Sequence, residues 1–143
     1  MPEVDFYVLP SSDPDSRLAF ACRLTEKVWR LGHRIYLHCA DQAQLAAMDE
    51  RLWRFKAEAF VPHGPVAEDP TGVIALGHGQ QAPQHHRDVL INLDLVVPGF
   101  VEQFARVVEL VAQQPHILQA SRKNFRYYRD LGYPLRNHPQ SHI

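Results

Sequence analysis

The first third of the chain alternates short runs of strand-forming residues with longer runs at helical spacing, and this alternation constrains the fold more than any other feature. Residues 4–9 and 34–39 have the composition of strands. Between them, apolar residues recur at helical spacing until Gly32, which is expected to stop a helix capped by Asp15 or Ser16. The order strand, helix, strand, with a second helix to follow, predicts βαβ units and a largely parallel sheet.

The second helix is expected to begin at Asp41, which is a good N-cap, and to continue to Trp53. Phe60, Val61 and Pro62 follow it. These apolar side chains allow two interpretations. Trp53 and Phe60 could simply pack the second helix onto the sheet. Alternatively, they could stay partly exposed and form a docking surface, because aromatic residues are enriched at the energetic centres of protein interfaces.

The middle of the chain is expected to be mostly loop, because residues 62–84 are rich in glycine and proline. Within it, residues 73–76 are long enough for one short strand, and residues 89–93 predict a further buried strand. The Val-Val-Glu-Leu-Val run in residues 106–111 could continue a short helical turn that precedes it or form an edge strand. Its β-branched content favours the strand.

A last helix is predicted over residues 114–131, with Gly132 ending it in the left-handed conformation that glycine tolerates. One stripe of this helix carries Leu118, Ser121, Phe125 and Tyr128. We expect residues 1–136 to form a single α/β domain and residues 137–143 to form a flexible tail.

The composition is that of an ordinary globular protein, with 143 residues, 45% hydrophobic and 22% charged. The two cysteines, Cys22 and Cys39, are too few for a disulfide framework and fit a reducing compartment. The N-terminus lacks the pattern of a signal peptide, and no apolar run reaches the roughly 18 residues of a membrane span. We therefore expect a cytoplasmic protein.

The sequence carries no recognisable catalytic, metal or nucleotide motif. Nine histidines are present, but His78, His85 and His86 lack the spacing of a metal site. The glycines near residue 77 match neither a phosphate loop nor a dinucleotide-binding turn. We expect no cofactor, no metal and no enzymatic activity.

Charge is unevenly distributed, although the net charge is only -1. The first 16 residues contain four acids and no base. The last 30 residues contain five Lys or Arg residues and a single acid, Asp130. The bases of that C-terminal segment are Arg122, Lys123, Arg126, Arg129 and Arg136. Two interpretations are open for Arg122, Phe125, Arg126, Tyr128 and Arg129. They could form a solvated basic face with the rings in the core, or the guanidinium groups could lie beside an apolar pocket and receive a carboxylate together with an apolar side chain, as in capture of an acidic peptide terminus.

Several short segments, in order along the chain, resemble one protein family. They are Asp5-Phe6-Tyr7-Val8-Leu9, Leu52-Trp53, Phe60-Val61-Pro62-His63, Arg87-Asp88-Val89-Leu90-Ile91-Asn92-Leu93, and Arg126-Tyr127-Tyr128-Arg129 ahead of Gly132-Tyr133. Together they are similar to the chi subunits of bacterial DNA polymerase III holoenzymes, which are accessory proteins of the clamp loader. The resemblance covers nearly the whole chain.

The resemblance implies a fold like that of mononucleotide-binding proteins but without a nucleotide site, no catalysis and two protein partners. One partner is the psi subunit of the clamp loader, and the other is the acidic C-terminal tail of single-stranded DNA-binding protein, which ends in Pro-Phe. The resemblance places the tail site at Val111, Arg122, Phe125 and Arg126, with Tyr128 as a wall. It places the psi contact at Trp53, Phe60, Val61 and Pro62. Phe125 stands where the family has tyrosine, so it lacks a hydroxyl.

The leading hypothesis is therefore a non-catalytic adaptor that links the replicase to protein-coated single-stranded DNA and touches DNA only indirectly. An alternative is a direct single-stranded nucleic-acid-binding module that uses the basic C-terminal helix, with Phe125 or Tyr128 stacking on bases. An enzyme of nucleotide-binding ancestry is a third hypothesis, but it needs a phosphate site that the sequence does not display. The sequence leaves open whether a psi partner exists for this chain and whether a helicase shares the aromatic surface.

Overall fold

The fold is seen in a computed structural model, which describes residues 1–54 and 62–140. The strands are β1 Glu3–Val8, β2 Ile35–Cys39, β3 Gly64–Pro65, β4 Ile74–His78, β5 Val89–Asn92, β6 Arg106–Val111 and β7 Leu135–Pro139. The helices are α1 Asp15–Arg30, α2 Gln42–Arg54 and α3 Pro115–Asp130, and a 3-10 turn covers Val101–Gln103.

The strands form one sheet in the order β3-β4-β2-β5-β6-β1-β7, and every neighbouring pair is parallel. This confirms the predicted α/β class and the parallel sheet. The strand interpretation of residues 106–111 is also confirmed, but β6 is a central strand between β5 and β1, not an edge strand. Its β-branched residues suit that position because all of β6 except Arg106 is buried.

Two predicted helix ends are confirmed by the backbone. Gly32 has φ +90° after α1, and Gly132 has φ +80° after α3. At α3 the amide of Gly132 donates to the carbonyl of Arg129 at 2.9 Å, and the amide of Tyr133 donates to the carbonyl of Tyr128 at 3.2 Å. These two hydrogen bonds satisfy carbonyl groups that the end of the helix leaves unpaired, and they need a residue at position 132 that accepts positive φ.

The helix starts agree less well with the sequence prediction. Asp41 caps α2 as predicted, since its carboxylate accepts the amide of Gln44 at 2.8 Å. The predicted caps of α1, Asp15 and Ser16, are wrong. Asp13 provides the acceptors instead: its carboxylate receives the amide of Asp15 at 3.0 Å, and its carbonyl receives the hydroxyl of Ser16 at 2.6 Å.

The two faces of the sheet carry separate apolar cores. On one face, α1 and α2 cover the sheet with side chains such as Cys22, Leu45, Met48 and Leu52. On the other face, α3 and the 3-10 turn cover it with side chains such as Val101, Ile117 and Tyr128. The helices that follow the adjacent strands β1 and β6 therefore lie on opposite faces, and α3 is the one helix among the described residues on its side.

The predicted tail boundary at residue 137 is wrong for the residues that the structure describes, because β7 extends to Pro139 and pairs with β1. Polar contacts hold this strand. The buried carboxylate of Asp5 accepts His138 Nε2 at 2.8 Å, and the His138 ring stacks on Tyr7 at 4.7 Å between centroids. Arg136 pairs with Glu3. Residues 141–143 of the predicted tail lie outside the described residues.

Within the same ranges, no helix is both long and apolar enough to cross a membrane.

Candidate functional site

The predicted tail site centres on one flank of α3, where Leu118, Arg122 and Phe125 follow one another at intervals of four and three residues. Such residues are neighbours on a helix surface. The ring of Phe125 lies 5.4 Å from that of Phe6 on β1, so this flank faces the β1 side of the sheet. Leu118 and Phe125 are both half-buried against the core under α3. The flank therefore offers a partly exposed apolar strip beside a guanidinium.

Only some of the positive charges around this strip are free of ion pairs with other described residues of the chain and can bind a ligand. Arg129 pairs with Asp130 at 3.3 Å, and Arg136 pairs with Glu3. Arg122, Lys123 and Arg126 are exposed, and none of the three forms an ion pair with any residue in the described ranges. Arg122 and Arg126 are four residues apart, so both can approach one ligand. The unpaired positive charge of the C-terminal segment is thus concentrated on the middle of α3.

Two of the five predicted site residues lie beneath the surface. Val111 is 4% exposed, and Tyr128 is completely buried, with its ring 6.0 Å from that of Phe6. The prediction that Tyr128 forms a wall of the site therefore needs correction: a side chain with no exposed area supports the strip from below and does not line it. Sequence spacing placed Tyr128 on the correct stripe, but it could not show which member of the stripe lies deepest. Leu118, which the site prediction omitted, is half-buried like Phe125 and lines the strip with it.

The reason for the burial of Tyr128 is a polar partner inside the core. Its hydroxyl donates to Glu109 Oε2 at 2.6 Å, and the amide of Asn92 donates to the same oxygen at 3.0 Å. Glu109 is 5% exposed. Burial raises the pKa of Glu109 to about 7, although both hydrogen bonds and the charge of Arg17 oppose that rise. This network fixes α3 on the sheet, and a glutamate inside an apolar strand run was its sequence signal.

Arg17 is a second buried polar residue that the sequence analysis missed. Its guanidinium donates to the carbonyl of Leu110 at 3.0 Å and to that of Leu93 at 2.9 Å, so it joins the carboxyl ends of β6 and β5. A cavity of about 10 Å³ separates it from α3, with Asn124 and Glu109 also in its lining. That volume suits about one water molecule and not a phenyl ring. A phenyl ring bound beside α3 therefore does not enter this cavity, whereas the partly exposed strip is open to it.

The second predicted site is only partly within the described residues. Trp53 lies in the last turn of α2 with 59% of its surface exposed, and its ring lies 4.7 Å from that of His63. The interpretation that Trp53 packs α2 onto the sheet is therefore wrong, whereas Leu45, Met48 and Leu52 do so. Pro62 is half-buried, and Phe60 and Val61 lie outside the described residues.

The other chemical groups considered in the sequence do not assemble into a reactive site within the described ranges. There, no three His, Cys, Asp or Glu side chains are close enough to hold a metal ion. Both thiols are buried, and burial raises the pKa of Cys22 to about 11 and that of Cys39 to about 12. These thiols remain protonated at neutral pH, so they are poor nucleophiles.

Comparison with known proteins gives consistent matches. A family model described as "DNA polymerase III chi subunit, HolC" matches residues 1–136. A DNA polymerase III subunit chi from Pseudomonas aeruginosa is 56% identical over 138 residues, which are 96% of this chain and 96% of that protein. The Escherichia coli protein of the same name is 30% identical over 141 residues, covering 94% of this chain and 96% of the relative.

The fold is also found in a solved structure. A chain described as "The crystal structure of T4 UvsW" superposes with a TM-score of 0.67 over 96% of this chain and 41% of that chain, at 7% sequence identity. At that identity the likeness concerns the fold alone.

Proposed function

This chain belongs to the family of DNA polymerase III chi subunits, which are replication proteins, and on that premise we propose that it is a non-catalytic, cytoplasmic adaptor that binds the acidic C-terminal tail of single-stranded DNA-binding protein. Through this contact it would hold the replicase on protein-coated DNA without touching the DNA. The observation that carries the proposal is the pair of exposed guanidiniums of Arg122 and Arg126, which have no ion-pair partner in residues 1–54 and 62–140, beside the half-exposed ring of Phe125.

The chemistry of the tail matches this arrangement. Carboxylates near the end of the tail would accept hydrogen bonds from the two guanidiniums, which are charge-assisted and can be bidentate. The terminal phenyl ring would pack on Phe125 and Leu118. Because Phe125 and Tyr128 both rest on Phe6, the strip has a firm base of aromatic rings. Val111 and Tyr128 would contribute as that base and not by direct contact.

Calorimetry with a short acidic peptide that ends in Pro-Phe tests this proposal. Arg122→Ala and Arg126→Ala should each weaken binding by about 1.5 to 3 kcal/mol, because each removes a charge-assisted hydrogen bond. Lys123→Ala is the matched control for Arg122→Ala, since it removes the same charge from the same helix at a position about 100° around the axis from Arg122. Equal affinities for the wild type and both arginine variants would show that the tail binds elsewhere or not at all.

The same variants separate tail binding from direct binding of single-stranded nucleic acid. A nucleic-acid strand would be held by the whole basic face, because backbone phosphates attract every nearby cation. In that case Lys123→Ala should weaken oligonucleotide binding as much as Arg122→Ala does, in the absence of any partner protein. The observation that favours the adaptor is the apolar strip of Leu118 and Phe125 directly beside Arg122, because a strand held through its phosphates does not need one.

We also propose that the exposed end of α2 docks the psi subunit through Trp53 and Pro62, together with Phe60 and Val61 of the neighbouring segment. Trp53 is exposed although it is large and aromatic, which is typical of an interface anchor. Trp53→Ala should abolish co-purification with psi but leave binding of the acidic peptide unchanged. Leu31→Ala is a suitable control, because Leu31 is 67% exposed at the end of a different helix. If Trp53→Ala co-purified with psi as well as the wild type does, the assignment of the psi contact to the end of α2 would be wrong.

A further inference from the structure

An open cavity of about 480 Å³ lies beside the edge strand β3, the carboxyl end of β4 and the loop that follows β4, and no α3 residue lines it. Its apolar wall is formed by Tyr36, Leu45, Pro65, Pro70, Leu76 and Pro83. A cavity of this size with a mostly apolar lining has the dimensions of a small-molecule site. Leu76, Gly77 and His78 in its lining form the carboxyl end of β4, and ligands of parallel α/β sheets bind beyond this end of the strands.

The wall contains a polar group without a partner. Tyr36 is 1% exposed, and its ring packs against those of Phe100 and Phe104. Its hydroxyl lies against Gly77, where an added Cβ would collide with it, and both residues line the cavity. No residue in the described ranges accepts or donates a hydrogen bond at this hydroxyl. Burial raises the pKa of Tyr36 to about 12, so the hydroxyl keeps its proton and can donate.

Amide groups surround the entrance. Gln42 Oε1 and His78 Nε2 are 3.1 Å apart, and both belong to the lining. Gln81 and Gln84 are exposed lining residues, and each side-chain amide offers one acceptor and two donor hydrogens. The described residues of the lining include no Asp, Glu, Lys or Arg. A charged ligand would therefore lose water here without gaining a counter-charge, which is unfavourable.

We propose that this cavity binds an uncharged, planar ring compound whose edge carries both a hydrogen-bond donor and a hydrogen-bond acceptor. The ring would lie among the proline and leucine side chains, and its amide-like edge would meet the Tyr36 hydroxyl or a glutamine amide. The acidic tail proposed for α3 is unsuited to this site because its carboxylates would meet no Lys or Arg among the described residues of the lining. The cavity is therefore a second, chemically distinct site on the same chain.

Nicotinamide and nicotinate form a matched pair of probes, because they have the same ring and nearly the same size and differ in charge. Titrated into the ¹⁵N-labelled full chain, nicotinamide should produce saturable shifts in the amide signals of Gly77, Ala82 and Gln84. Nicotinate should bind at least about tenfold more weakly. Equal binding of the two probes, or no saturable shift with nicotinamide at millimolar concentration, would overturn the proposal.

Two variants locate the probe. Ala82→Leu fills the cavity and should abolish the shifts, whereas Ala46→Leu, on an exposed part of α2, should leave them unchanged. Tyr36→Phe keeps the ring and removes only the hydroxyl, so it should raise the nicotinamide Kd about fivefold if that hydroxyl bonds the ligand. Shifts that persist in Ala82→Leu would show that nicotinamide binds at another place, and the proposal would fail.

Discussion

Replacing Glu109 by glutamine is the sharpest test of the buried network that holds α3. The substitution keeps the shape of the side chain. In the wild type, the Tyr128 hydroxyl and the Asn92 amide both donate to one oxygen of Glu109, and the carbonyl oxygen of glutamine can accept both of these hydrogen bonds. It removes only the capacity to become charged. Any change in stability therefore reports the free energy of placing a carboxylate in this core.

The magnitude follows from the pKa of Glu109, which burial raises from 4.5 to about 7. Between these pH values the native state keeps a proton that the unfolded chain has released. The native state then binds more protons, so the wild-type stability contributed by this group falls as pH rises through the window. One pKa unit is worth about 1.4 kcal/mol, so the loss amounts to about 3 kcal/mol above pH 7. Glu109→Gln should be more stable than the wild type by about that amount at pH 8 and equally stable below about pH 4, where the carboxyl is protonated in the folded and the unfolded chain alike.

Urea unfolding at several pH values measures this difference directly. Other groups also titrate in the window: burial lowers the pKa of His38 and His86, for example. Their contributions cancel when the unfolding free energy of the variant is subtracted from that of the wild type at each pH. Glu68→Gln is the control, because Glu68 is exposed and its substitution should change stability by less than about 0.5 kcal/mol. A difference between Glu109→Gln and wild type that does not vary with pH would refute the reasoning.

Three further predictions concern the same helix. Tyr128→Phe should cost about 1 to 3 kcal/mol of unfolding free energy, because Glu109 loses a buried donor, but it should leave peptide affinity unchanged in calorimetry since the hydroxyl is inaccessible. Gly132→Ala should cost about 1 to 2 kcal/mol in thermal or urea unfolding because of its φ of +80°, whereas Gly99→Ala, at an open position with ordinary φ, should be neutral. Raising the salt concentration should weaken peptide binding, and a salt-independent Kd would contradict a role for the exposed arginines.

The local part of the fold could be predicted because its signals are local. Gly32 and Gly132 end their helices, and Asp41 starts one, through conformations and hydrogen bonds set by a few adjacent residues. By contrast, β7 is held by β1, more than a hundred residues earlier in the chain. Its sequence contains Arg136 and His138, which gain acidic partners only when the two strands meet. The local sequence pattern therefore does not predict such a strand.

The same non-local pairing explains why the charge pattern overstated the basic face. In the sequence, the C-terminal bases indicate one basic face that is remote from the N-terminal acids. In the fold, Glu3 pairs with both Arg106 and Arg136, and Asp5 pairs with Arg106 and His138. The cations that remain unpaired among the described residues of the C-terminal segment lie on α3. The candidate site is thus smaller than the sequence suggested, and its position depends on which charges the sheet order brings together.

The burial of each side chain on α3 is the other feature that the sequence could not predict. Leu118, Phe125 and Tyr128 share one helical stripe, but only Tyr128 reaches Glu109, because β6 lies directly beneath that point of α3. A buried hydrogen bond therefore selects the inner member of the stripe, and the other two are left half-exposed.

Chemical-shift mapping of the ¹⁵N-labelled chain with the acidic Pro-Phe peptide tests the central claim most directly. We predict that the largest shifts fall on the amides of Leu118, Arg122, Phe125 and Arg126, and that they disappear when the terminal phenylalanine of the peptide is replaced by alanine. Shifts that instead cluster around Trp53 and Pro62, or that stay the same without the phenyl ring, would contradict the assignment of the tail site to α3.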